Sequence, residues 1–581
     1  MLHDEKFRRE LLFRQKIVKT VITVLCFILI GNLYLLQIKH SKKYQLLSDK
    51  NRIRLMPLFP KRGNIISSDG IVLAHCEYNH RVIMDYCAPQ TFKKNMEVLS
   101  KCIDFSESDL EKLEQQRKSR VPSIIVKELL SREEYTKVMM NLFKCSGVYV
   151  TDSYSRHYNM PEEFCHIIGY TSKTDNEFQF LKGKTGLELF FNNEISGTLG
   201  NIQKEINAVG KKIRILDQEA PIDGQDLILS INAKLQKYIY DLLQPYHVGA
   251  CCVLDMNGKV LALVSHPGYN TNSMSTKPTT EEWKSWSTGK YKPLLDRAIS
   301  SSYPPGSVFK IVVAYAALQE GIVKPEDKFL CTGGIKQDNH VFHCWNRAGH
   351  GSIDLASALS HSCDCYFFEI SKKLGIDKLQ KYAKEFGFGN KTDIELPNEK
   401  TGLVPTKEWK LLRYNKNWFT YETMLAGIGQ GSVLATLIQT ATMMGKLYSN
   451  NLNYSPTILK NSEISGEIIP LNKKHADAIK EGLRQVCRTG TARKSCKTLY
   501  GISGKTGSSQ VRSIRSNEAG INQNLLEWKH RDHAFFVGAA PSNKPKYIVA
   551  VLIEHGGGGA KVAAPIARKI FDKLILEQHE N

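Results

Sequence analysis

Residues 18–36 are almost wholly apolar, and a run of that length can cross a bilayer, so the rest of the chain must fold on the aqueous sides of a membrane. Lys19, Thr20, Thr23 and the Gly31-Asn32 pair are its only interruptions. Gln37, Ile38, Lys39 and His40 follow it and make a poor signal-peptidase site, so the run reads as an uncleaved anchor. A buried helix of a soluble protein is the alternative, and the terminal position argues against it. Charge leaves orientation open: Lys6, Arg8, Arg9, Arg14, Lys16 and Lys19 precede the span, while Lys39, Lys42, Lys43, Lys50, Arg52 and Arg54 follow it. At 581 residues the chain is long enough for two or three units with cores of their own. Its formal charge of +21 raises nucleic acid as a partner, but the basic residues are dispersed and no nucleic-acid motif is present, so anionic lipid is the better match.

Far downstream lie three short elements with complementary chemistry. Tyr303, Pro304, Pro305 and Gly306 lead into Ser307, after which residues 308–318 read as a buried apolar helix. Ser307 then sits at a helix start, where unpaired N–H groups and the dipole favour negative charge. Lys310, three residues on, returns over the same face. Ser362, Cys363 and Asp364 form the second element, and Lys505, Thr506 and Gly507 the third. A lysine held dry beside another lysine loses its proton more readily and can serve as base to a serine, the requirement of acyl transfer. Singly, each element has a plainer reading: Ser307 as a helix cap, the others as chance. Their ordered occurrence is the set found in penicillin-binding proteins and class A β-lactamases.

The chain resembles the class B penicillin-binding proteins, and within them the elongation-type branch. The resemblance covers nearly the whole chain. It rests on residues 303–310, on Gly427, Ile428, Gly429, Gln430 and Gly431 with Ala435, Thr436 and Gln439, and on residues 505–510 and 533–541. Near the amino end, Arg62, Gly63, Asn64 and Ile65 followed by residues 69–74 resemble the opening of the family's non-catalytic module. Asp364 stands where septal relatives usually carry asparagine, which favours elongation over division. Val308 and Ser508 stand where threonine is frequent.

The resemblance implies an α+β protein in three parts. Residues 1–38 would be a cytoplasmic tail and transmembrane anchor, 39–235 an elongated pedestal or dimerisation-like domain, and 236–581 a penicillin-binding transpeptidase domain with a central antiparallel sheet flanked by helices. Local pattern agrees. Asp69-Gly70 is a hairpin signal, 110–120 and 128–143 are charged helical stretches, and a hairpin turns at Asn257-Gly258 between apolar strands. A second hairpin, 533–540 and 547–554, would join the Lys505 strand and the first hairpin in one sheet. Gly183, Lys184, Thr185 and Gly186 lack the spacing of a phosphate loop.

By resemblance, Ser307 attacks the carbonyl of the penultimate D-alanine of a stem peptide and Lys310 takes its proton. Ser362 relays a proton to the leaving amine, and Asp364 and Lys505 hold the network. The N–H groups of Ser307 and Ser508 form an oxyanion hole, and Thr506, Gly507 and Ser508 bind the substrate. No cofactor is implied. The implied partners are peptidoglycan stem peptides, β-lactams, the inner membrane, a membrane glycan polymerase of the shape, elongation, division and sporulation class, and rod-shape scaffold proteins. The implied location is the bacterial inner membrane, single-pass, with the catalytic domain in the periplasm. A serine β-lactamase, a β-lactam sensor and a catalytically silent scaffold are the rivals. The anchor and pedestal argue against the first, the single span against the second, and the intact motifs against the third.

Fourteen cysteines are many for the bacterial envelope. Cys331, His343, Cys344 and His350 share one loop and are open to a disulfide, a zinc site or inert thiols. Cys363 and Cys365 flank Asp364 and read as small side chains in the site wall.

Overall fold

The computed structural model describes residues 2–42, 53–119, 123–174, 180–206, 212–338, 340–462, 467–511 and 523–576. Lys43, Lys50, Arg52 and Arg120 lie outside the described residues. The apolar run forms α1 (Leu2–Tyr34), whose last turn widens over Leu35–Lys39. From Leu11 to Lys39 it is exposed throughout and long and apolar enough to cross a membrane. In water such a surface would be untenable, which is the physical sense of an anchor.

The chain divides into two compact units. The first contains residues 1–61, 78–154 and 197–223, the second 62–77, 155–196 and 224–581. In the first, Ile53–Leu58 pairs antiparallel with Gly200–Ile206, which pairs with Lys212–Glu219. Helices Glu107–Lys118 and Arg132–Asn141 carry the charged stretches, each opened by a reciprocal serine cap, Ser106 with Asp109 and Ser131 with Glu134. A separate apolar core gathers Val82, Met84, Phe92, Leu99, Ile124 and Val138.

The second unit is built on one antiparallel sheet drawn from both ends of the sequence. Its strands are β1 (Gly249–Asp255), β2 (Val260–His266), β3 (Ser503–Ser509), β4 (His533–Ala540) and β5 (Tyr547–Ile553), in the order β2-β1-β5-β4-β3. Side chains alternate between two buried faces. Cys251, Val253, Phe536, Val549 and Val551 pack with α2 (Ala233–Leu243) and the terminal helix Ala563–Leu576. Ala250, Cys252, Phe535, Val537 and Ala550 face the larger core, where α3 (Lys310–Gln319) is buried from Lys310 to Leu318. The expected hairpins and the helix after Ser307 are present.

Within this unit a buried ion triad joins residues 62–77 to residues 155–196, while the Asn64 and Ile66 carbonyls accept the N–H groups of Leu227 and Leu229, each at 2.8 Å. Glu188 is fully buried, and its two oxygens accept from Arg62 Nε at 2.6 Å and Arg156 Nε at 2.7 Å. Arg156 also donates to the Gly63 carbonyl at 2.8 Å. Removing one member strands the others, so Glu188→Ala should destabilise the unit by about 3–5 kcal/mol. The triple replacement Arg62→Met, Arg156→Leu, Glu188→Leu should recover most of that loss; equilibrium unfolding of the detergent-solubilised chain measures both.

Candidate active site

The serine segment is fixed before the helix begins. Tyr303 exchanges two backbone hydrogen bonds with Ala435, both 2.8 Å, and its hydroxyl donates to Glu554 at 2.6 Å. Buried Arg297 donates to the same carboxylate oxygen at 3.0 Å. Ser509 Oγ donates to the Pro304 carbonyl at 2.7 Å. Gly306, at φ +54°, makes the turn, and a Cβ there would meet the Ser508 carbonyl at 2.8 Å. Ser307 follows in the short turn Gly306–Val308, which lies against β3.

One helical turn on, Lys310 is completely buried. Its Nζ donates to Asp364 Oδ1 at 2.7 Å, to the Ser362 carbonyl at 2.9 Å and to Ser362 Oγ at 3.3 Å, and it lies over the Phe367 ring. Lys505 enters from β3, equally buried, and reaches Ser362 Oγ at 2.9 Å. Ser362 adopts φ +56° in the turn between α4 (Leu355–Ser360) and α5 (Asp364–Leu374), a left-handed conformation that points its hydroxyl between the two amines. Burial, and then the charge of Lys310, holds the Lys505 ammonium well below the usual lysine range. Direct bonds therefore join Lys310, Ser362, Asp364 and Lys505.

The remaining residues of the third element line β3. Thr506 shares a hydroxyl hydrogen bond with Thr491 at 2.9 Å. Gly507 is close to Pro305 and Val308, where a Cβ would crowd the serine turn. Ser508 is exposed, and its carbonyl accepts from Gln430 Nε2 at 3.2 Å.

Next to this network the cysteine loop folds onto the second motif. Cys331, Cys344, His350 and Cys363 bring one donor atom each to within 4.8 Å of the others, and His350 Nδ1 lies 3.6 Å from Cys331 Sγ and 3.5 Å from Cys344 Sγ. All four sulfur and nitrogen donors suit zinc, and three thiols around one imidazole exceed the needs of a disulfide. Cys363 is thus a member of the cluster and not merely wall packing. Its Sγ accepts the Tyr366 N–H at 3.5 Å. His343 is outside the cluster, exposed on the hairpin Gly334–Gln337 and His340–His343. The loop also bonds to the lysine network: Trp345 N–H donates to Asp364 Oδ2 at 2.9 Å and its indole N–H to the His361 carbonyl at 3.0 Å. Cys363, Trp345, Thr491 and Gln430 escaped the reading of the sequence as site residues; the grouping of Cys331, Cys344 and His350 in one loop was the available sign of the cluster.

A serine turn, two buried lysines sharing a serine hydroxyl and an edge strand carrying Lys505, Thr506 and Gly507 are the arrangement of the penicillin-recognising proteins, and the chain belongs to the class B penicillin-binding proteins. Residues 249–572 match the penicillin-binding protein transpeptidase domain and residues 57–229 the penicillin-binding protein dimerisation domain. Within the family its branch is that of penicillin-binding protein 2. Peptidoglycan D,D-transpeptidase MrdA of Haemophilus influenzae is 34% identical over 99% of this chain and 93% of its own. Penicillin-binding protein 2 of Helicobacter pylori, solved in complex with MreC, is 29% identical with a TM-score of 0.81 over 90% of this chain and 98% of its own. A peptidoglycan synthase complex that coordinates polymerisation and crosslinking gives a TM-score of 0.69 at 26% identity, over 96% of this chain and 98% of its own.

Beneath the serine segment, burial and the neighbouring His555 hold the His533 imidazole down to about 4, and burial does the same to His266. The unfolded chain binds these protons below its ordinary histidine value near 6.5 and the folded chain does not. Stability should be full above about pH 6.5 and fall as pH drops toward 4, each histidine costing about 3 kcal/mol. His533→Asn keeps an acceptor for the His555 N–H, which donates to His533 Nδ1 at 3.0 Å, and should remove about half of that acid sensitivity in unfolding curves taken from pH 7.5 to 4.

Proposed function

We propose that this chain cross-links peptidoglycan stem peptides during cell-wall elongation, by way of an acyl-enzyme on Ser307. It is a serine-type peptidoglycan D,D-transpeptidase of the penicillin-binding kind. The observation that carries the residue roles is the shared hydroxyl of Ser362, bonded to Lys310 on one side and Lys505 on the other. Two buried ammonium groups at this spacing repel, and among the described residues one carboxylate, Asp364, pairs with them. One lysine therefore carries the charge and the other is neutral.

From that state the proton path follows. Lys310 passes a proton through Ser362 Oγ to Lys505, and the neutral Lys310 takes the proton of Ser307 as its oxygen attacks the penultimate D-alanine carbonyl. The developing oxyanion is met by the N–H groups of Ser307 and Ser508. Lys505 returns its proton through Ser362 to the nitrogen of the departing D-alanine. Thr506 and Ser508 hydroxyls and the bare edge at Gly507 hold the substrate carboxylate. An amine of a neighbouring stem then reverses these transfers, taking the acyl group and leaving a crosslink. A β-lactam acylates the same serine and inhibits.

Zinc is the metal we assign to Cys331, Cys344, His350 and Cys363. Such a site supplies a structural crosslink, binding the loop through Cys344, and hence Trp345, to the second motif through Cys363. We assign residues 39–235 as pedestal and 236–581 as the catalytic domain, both in the periplasm of a cell whose inner membrane holds the anchor; the exposed apolar helix supports the membrane assignment. The relatives' complexes with MreC and within a peptidoglycan synthase support a rod-shape scaffold protein and a glycan polymerase as partners.

Incubation of the purified chain with a penicillin should give a single stable mass adduct on the peptide holding Ser307, absent from Ser307→Ala. Rapid turnover of the drug would place the protein with the lactamases. Lys505→Arg, permanently charged, should slow acylation at least a hundredfold at pH 7.5. In the native chain the acylation rate should fall as pH drops through the depressed value of Lys505. One zinc per chain is expected by elemental analysis, and its chelation should lower the melting temperature and weaken acylation; metal-free protein with full activity and stability would remove zinc from the site.

A further inference from the structure

The segment from Gly427 to Gly431 follows the helix Thr420–Gly427 and takes no part in the proton path. It is tightly made: Ile428 N–H and Gln430 N–H both return to the Leu425 carbonyl, and Gly429 N–H to Ala426. Two consecutive residues of it grip the two sides of the acyl site. The Gly429 carbonyl accepts the N–H of Gly306, the residue before Ser307, at 2.9 Å. Gly429 stands at φ +68°, and a Cβ there would lie 2.2 Å from the Gly306 carbonyl, so the approach requires glycine. Gln430 then reaches across with Nε2 to the Ser508 carbonyl at 3.2 Å. Among the described residues β3 is an edge strand of its sheet, and on its open side the Gln430 amide takes the carbonyl of Ser508.

An oxyanion hole works only if its donors stand where the charge will develop, within a few tenths of an ångström, before the reaction. The turn carrying Ser307 is held by several elements, but Ser508 lies at a sheet edge and is exposed. We infer that Gln430 is a positioning residue of the oxyanion hole, its side-chain amide fixing Ser508 relative to the serine turn that Gly429 holds. This rests on the reading of Ser307 and Ser508 as the two donors. The amide touches neither the nucleophile nor the lysines, so its effect should fall on carbonyl polarisation and not on proton transfer.

The test compares the full-length chain with Gln430→Met, of similar length but without a donor, and Gln430→Asn, an amide too short to reach Ser508. Each is acylated with a penicillin isotopically labelled at the lactam carbonyl, and difference infrared spectra give the stretching frequency of the resulting ester. Both variants should show the ester band at higher frequency than the native enzyme, and an acylation rate constant lower by about tenfold. Their melting temperatures and the pH midpoint of acylation should be unchanged. A native-like band in both variants overturns the proposal, whether the rate is native or reduced together with the melting temperature. Ser307→Ala, run in parallel, separates the two readings: an adduct on that variant removes the nucleophile assignment, whereas its absence with native-like bands removes only the role of Gln430.

Discussion

Two fully buried lysines around one serine hydroxyl are the constraint from which the rest of the site follows. An isolated ammonium in such surroundings would be expelled or neutralised. Here one is retained by the Asp364 carboxylate at 2.7 Å, and the other is held below its usual value by burial and by that first charge. The pair can exchange a proton without a net change of charge in a dry site, because the Ser362 hydroxyl lies between them. Acyl transfer needs this, since it first removes a proton from a hydroxyl and soon afterwards must deliver one to an amine.

Such an arrangement has to be held by the fold, since it opposes its own electrostatics. Lys310 is set by a helix buried along its length, Lys505 by a strand hydrogen-bonded to β4, and Ser362 by a left-handed turn between two helices. The serine turn is held independently from the far end of β5, through Tyr303, Glu554 and Arg297, and from β3 through Ser509. Each side chain of the network thus comes from a different element, and the sheet, assembled from residues near 250 and residues beyond 500, gives them a common frame.

Local pattern revealed much of this, for identifiable reasons. Apolar strands about Asn257-Gly258, the proline-glycine approach to Ser307 and the uniformly apolar helix after it are short-range signals, and each is present in the fold. The joining of 62–77 to 155–196 was not legible, because it depends on Arg62, Glu188 and Arg156, ordinary charged residues until their burial is seen. Gln430 was legible only as part of a motif; its reach to Ser508 spans 78 residues of sequence. Cys363 was hidden by its neighbours, since a cysteine between two catalytic residues reads as packing.

That position of Cys363 gives the second motif two employers. Ser362 and Asp364 bond to the two lysines, and the residue between them points into the cluster of Cys331, Cys344 and His350. In a turn at φ +56°, neighbouring side chains diverge, so one tripeptide can face both ways. The same loop returns through the Trp345 N–H to the Asp364 oxygen that Lys310 does not use. Asp364 is consequently held by a lysine on the catalytic side and by the cysteine loop on the other. Any change in the loop that moves Trp345 alters the carboxylate that balances the lysine charge, so the cluster and the proton network form one mechanical unit although no bond passes directly between a thiol and a lysine.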